Sequence, residues 1–132
     1  MQPIKIDKLY YLQYAGINLD LEFMNGTLDD GTSGAEKFLS NMSIDMWDYL
    51  KTHYQFDEAL FEKMCNLDVN VVIRYKRALC LQADYILKSG DAQINFELKN
   101  AGVRDIAPKA YQIFKMLGLC NLQAGKDLFR RY

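Results

Sequence analysis

This 132-residue chain holds one histidine, two prolines and three cysteines, so it has few of the residues that bind metal, break elements or cross-link a fold. With His53 alone and no Cys-x-x-Cys spacing among Cys65, Cys80 and Cys120, a structural zinc site has too few ligands, and an odd set of thiols is no disulfide framework. A reducing compartment is expected. No stretch approaches the length of apolar sequence that crosses a bilayer, and no basic segment followed by an apolar one opens the chain, so neither membrane insertion nor secretion is expected. The glycines form neither a dinucleotide fingerprint nor a phosphate loop. With Pro3 and Pro108 the only prolines and no repeat or low-complexity run, nothing divides the chain, and a single domain over 1–132 is expected.

Charge is balanced only on average. The net charge is -1, which leaves no basic excess to condense on nucleic acid phosphates. Residues 1–68, however, carry 5 basic and 12 acidic side chains, and residues 69–132 carry 11 and 5. Blocks of opposite sign are ordinarily solvated faces. They also suit head-to-tail docking of two copies.

Half of the residues are hydrophobic, and their periodicity is mostly helical. The polar stretch 25–34, with Gly26, Gly31 and Gly34 among Asp29 and Asp30, reads as a loop closing an N-terminal extension over 1–34. It lacks the alternating ligands and terminal glutamate of a calcium loop. Ser33 and Glu36 fit a capping box, after which Ala35, Phe38, Leu39, Met42, Met46, Tyr49 and Leu50 recur at three- and four-residue steps and predict a helix over 35–54. A short helix over 57–65 is expected to pack through Ala59, Leu60, Phe61 and Met64, and Asp68 offers the next N-cap.

Residues 69–88 predict a long central helix whose packed face holds Val71, Val72, Tyr75, Ala78, Leu79, Tyr85 and Ile86, ended by Gly90. Alternation at Ile17, Leu19, Leu21 and Phe23, and again at Ile94, Phe96 and Leu98, predicts two short strands. The last helix starts at Pro108, packs through Ala110, Ile113, Phe114 and Leu117, and stops at Gly118. The expected architecture is mainly α: a small bundle of three to four helices with a long central helix and a short β-hairpin or strand pair.

Catalytic chemistry has no foothold in the sequence. His53, in Lys51-Thr52-His53-Tyr54, suits the carbonyls of a helix end better than a reaction. The carboxylate pairs Asp29-Asp30 and Asp57-Glu58 sit where loops and helix starts use them. No enzyme and no cofactor are expected. Interaction is better provided for, with Trp47, nine tyrosines and seven phenylalanines, because aromatic side chains anchor interfaces as well as cores. The tail 120–132 is weakly patterned but ends Lys126-Asp127-Leu128-Phe129-Arg130-Arg131-Tyr132, which places apolar anchors among basic residues.

Two stretches, ALCLQADYILKSG from Ala78 to Gly90 and IAPKAYQIFKMLGLCN from Ile106 to Asn121, resemble the head-tail connector, or neck adaptor, proteins of tailed bacteriophages. Ala78, Cys80, Gln82 and Tyr85 are similar to that family's A-x-C-x-Q-x-x-Y helix. Pro108, Ala110, Leu117, Gly118 and Leu119 are similar to its Pro-x-Ala helix and Leu-Gly-Leu stop. Ala107 stands where the family has Ser or Cys, and the segment from Leu98 to Arg104 departs from its Ser-rich strand.

The resemblance implies a structural protein of the virion neck, assembled in the host cytoplasm. It forms a ring of about twelve copies on the portal, touches the next neck or head-completion protein, and lets DNA pass without reading its sequence. On that reading Lys126, Leu128, Phe129, Arg130, Arg131 and Tyr132 dock on the portal, and Asp45, Asp48, Arg74, Arg77, Lys88, Ile94 and Phe96 lie between copies. The alternative is a small intracellular helical protein that regulates or binds another.

Overall fold

A computed structural model describes residues 1–14, 34–89 and 106–120. They form five helices: α1 (Lys8–Tyr14), α2 (Gly34–His53), α3 (Glu58–Leu67), α4 (Val69–Ser89) and α5 (Pro108–Met116). The expectation of three to four helices with a strand pair is corrected, because the described residues hold five helices and no strand. The segments expected as strands, 17–23 and 93–98, lie outside the described residues. The physical reason is that α4 packs against each of the other four helices. Among the described residues its buried stripe is thereby covered by helices.

Local signals set most boundaries. Asp7 accepts the Tyr10 N–H at 2.7 Å at the start of α1, Asp57 accepts the Leu60 N–H at 3.1 Å at the start of α3, and Asp68 accepts the Asn70 N–H at 2.9 Å at the start of α4. Each carboxylate satisfies a donor that the first helical turn leaves orphaned. Glu36 in the first turn of α2 and Lys51 and His53 in its last complement the helix dipole. Ser33, the expected cap of that helix, and Gly90, the expected end of α4, lie outside the described residues. At the end of α5, Gly118 takes φ +79°, its N–H meets the Lys115 carbonyl at 3.0 Å, and the Leu119 N–H meets that of Phe114 at 2.9 Å. A glycine turns the chain left-handed there at no steric cost.

All five helices feed one buried cluster. Its centre is aromatic: Tyr75 of α4 lies 5.5 Å from Phe61, 5.2 Å from Phe114 and 6.1 Å from Trp47, ring centre to ring centre. These are edge-to-face and tilted pairs of the kind aromatic rings prefer. The expected face of α2 is buried except for Tyr49, which is half-buried. Along α4 the buried stripe runs Val71, Tyr75, Ala78, Leu79, Cys80, Gln82, Ala83 and Ile86. Val72 is only half-buried and Tyr85 is exposed, so the stripe is shifted from the expected one. On α3 only Phe61 is fully buried, while Ala59 and Leu60, expected to pack, face solvent. A helix at the rim of a bundle needs only a narrow apolar strip.

Two polar links fasten the pieces. The Ile6 N–H donates to Ser43 Oγ at 3.2 Å, and that hydroxyl donates to the Leu39 carbonyl at 2.7 Å. The Tyr11 hydroxyl donates to Asp84 of α4. Residues 1–14, where the pattern suggests no element, thus supply Ile6 and Tyr11 to the core.

Candidate interaction surface

The residues picked from the sequence for contacts between copies fall, where they are described, on two helices. Asp45 is half-buried and Asp48 exposed on α2, and Arg74 and Arg77 are exposed on α4. Lys88 is in the last turn of α4, but its side chain, like Ile94, Phe96 and the whole set Lys126, Leu128, Phe129, Arg130, Arg131 and Tyr132, lies outside the described residues. Burial first, and then the neighbouring Asp48 carboxylate, push the Asp45 carboxyl above its ordinary range. His53 lies at the end of α2 with its ring 4.3 Å from that of Tyr49.

The thiols are placed against reactivity. Cys80 and Cys120 are buried, and burial pushes each of them up to about 12, so neither offers a thiolate at neutral pH. Half-buried Cys65 is raised by the same cause, reinforced by Glu62. Among the described residues no three His, Cys, Asp or Glu side chains gather as a metal site. No described helix is long and apolar enough to cross a membrane.

What the structure does build is a groove of about 640 Å³ between the start of α3 and the end of α5. One wall is Gln55, Phe56, Asp57, Leu60, Phe61 and Met64, and the other is Met116, Leu117, Gly118 and Leu119. Phe61, Leu117 and Leu119 are buried, whereas Leu60 is 56% and Met116 78% exposed. The first wall is held by Asp57, which caps α3, and by Lys51, whose Nζ lies 2.6 Å from a Glu58 carboxylate oxygen. The hydrogen bond from Lys51 holds the Glu58 carboxyl below its usual range. The second wall is shaped by the left-handed Gly118, which ends α5 and brings Leu119 back toward the bundle.

Sequence reasoning missed this groove. The sequence has Leu60 as a packing residue and does not single out Met116, and the exposure of both depends on how α3 and α5 are set against α4. Gln82 enters the sequence reading only through the resemblance, not through its own chemistry. It is fully buried in α4, and its Oε1 accepts the N–H of Ala107 at 2.7 Å, just before Pro108 opens α5. A polar residue inside an apolar helical stretch was the signal.

No family model, no curated protein and no solved structure matches this chain.

Proposed function

We propose that this chain is a head-tail connector protein of a tailed bacteriophage: a structural subunit that forms a ring on the portal and extends the channel through which DNA passes. The observation that carries this reading is the hydrogen bond from the Ala107 N–H to Gln82 Oε1 at 2.7 Å. Gln82 belongs to the first stretch that resembles the connector family and Ala107 to the second. The two stretches therefore pack together, and Ala78, Cys80, Ala110, Leu117 and Leu119 are all buried in the same cluster.

Exposed Arg74 and Arg77 on α4 and exposed Asp48 on α2 supply charges of opposite sign for contacts between copies. The tail anchors Leu128, Phe129 and Tyr132, with Lys126, Arg130 and Arg131, hold each copy to the protein beside it in the neck. The portal lies on one side of the ring and the next neck or head-completion protein on the other. DNA crosses the ring without sequence recognition, and assembly takes place in the host cytoplasm.

Gene context and imaging test the reading together. The gene is expected among genes for a portal, a capsid and a tail. Electron microscopy of the protein mixed with the portal from that cluster is expected to show a ring of added density on one portal face. Bare portals at saturating protein, or a gene set with no virion components, would leave the regulatory alternative.

A further inference from the structure

The groove between α3 and α5 is open at Leu60 and Met116, two large apolar side chains that water meets on opposite walls of one depression. Isolated exposed apolar residues are ordinary on a protein surface; a concave set over a buried aromatic floor is the form that receives an anchor from another segment. The charge in the groove lining is the Asp57 carboxylate; beside it on α3 Glu58 is paired with Lys51 and Glu62 is followed by Lys63, and Lys115 adjoins the other wall at Met116. The complement of an apolar groove with one carboxylate at its edge is a pair of apolar side chains flanked by positive charge. The chain contains such a segment: Leu128-Phe129 preceded by Lys126 and followed by Arg130 and Arg131.

Position agrees with composition. The described residues end at Cys120, next to groove residue Leu119, and Leu128 and Phe129, eight and nine residues further on, lie within a reach of up to roughly 30 Å when extended, about twice a domain radius of gyration of about 14 Å.

We infer that the groove between α3 and α5 seats the Leu128-Phe129 segment of a second copy of this chain. The inference rests on the ring reading above and makes a sister copy, in place of the portal, the tail's first partner. A groove on one copy and a tail on the next make a heterologous contact, in which every copy gives one tail and receives one. Such a contact repeats from subunit to subunit and closes when the rotation does. It also brings the acidic first half of one chain against the basic second half of the next.

Two variants of the full chain test this. Phe129→Ala damages the tail and spares the groove, and Leu60→Lys damages the groove and spares the tail. Leu60 is exposed, so helical content measured by circular dichroism is expected to be unchanged, and Met116→Lys serves as a second groove variant. In sedimentation velocity each variant alone is expected to self-associate about tenfold or more weakly than the unaltered chain. An equal mixture is expected to form a pair and nothing larger, because only one intact groove and one intact tail can meet.

Unchanged self-association in both variants overturns the inference, as does a mixture that stays monomeric, the result expected if each tail fills its own groove. An unaltered chain that is monomeric at every concentration overturns it too. None of these outcomes removes density from the portal in electron microscopy, so the connector reading stands or falls separately.

Discussion

Tyr75 is fully buried among Phe61, Phe114 and Trp47, and its hydroxyl has no hydrogen-bond partner among the described residues. Burial drives its phenol far above the ordinary value, so the group stays neutral. A buried hydroxyl without a partner costs about 1–3 kcal/mol. Tyr75→Phe keeps the ring and removes that cost, so the midpoint of urea unfolding is expected to stay level or to rise by the equivalent of about 1 kcal/mol. A loss of that size would mean that the hydroxyl is bonded.

Asp45 carries the opposite kind of tension. Its carboxyl is raised in the folded chain by burial and by Asp48, so ionisation at neutral pH works against folding. That penalty is present above the raised folded value and disappears as pH falls below the unfolded one. Asp45→Asn is therefore expected to melt higher than the parent at pH 7 and equally at pH 3, and a gain that persists in acid would exclude the electrostatic cause. His53 touches Tyr49 at a helix end, and the proposed connector function gives it no reaction to perform. His53→Ala is expected to leave ring formation intact, as electron microscopy of assembled rings would show.

At the scale of elements, α4 is the organiser, since it packs against each of the other four described helices. Leu79 lies fully buried on it, with Ala78 and Ala83 letting neighbouring helices approach. Leu79→Ala removes transfer energy and leaves a cavity, and a cost of about 2–5 kcal/mol in chemical unfolding is expected. A cost under about 1 kcal/mol would show that the surrounding helices collapse into the space. α5 depends on α4 in a different way. Ala107 supplies no side-chain cap, and its own N–H is satisfied by Gln82 of α4 instead, so the start of α5 is fixed by a tertiary bond.

For the whole molecule, the consequence of the tail reading is that folding and assembly separate. Among the described residues the buried cluster runs from Ile6 to Cys120. Deleting residues 126–132 is expected to leave helical content and melting temperature nearly unchanged while abolishing self-association and incorporation into particles. A deleted chain that unfolds, or that still assembles, would refute this. The same contact is expected to weaken as salt rises, because exposed charges are screened beyond about 8 Å at 0.15 M ionic strength.

Much of the helical framework was legible from sequence alone. Three- and four-residue apolar steps marked α2, α4 and α5, and Asp57, Asp68, Pro108 and Gly118 marked ends, because caps and periodicity act within a few residues of the backbone they control. The separation of charge into two halves was equally plain. What only the tertiary structure decided depends on residues far apart in the chain. Tyr11 reaches Asp84 across 73 residues and Gln82 reaches Ala107 across 25, and no local pattern encodes such partners. The exposure of Leu60, Tyr85 and Met116 was hidden for the same reason. A stripe shows that a helix has an apolar face; how far neighbouring helices cover its edges is set by their packing, and the uncovered edges at Leu60 and Met116 form part of the groove.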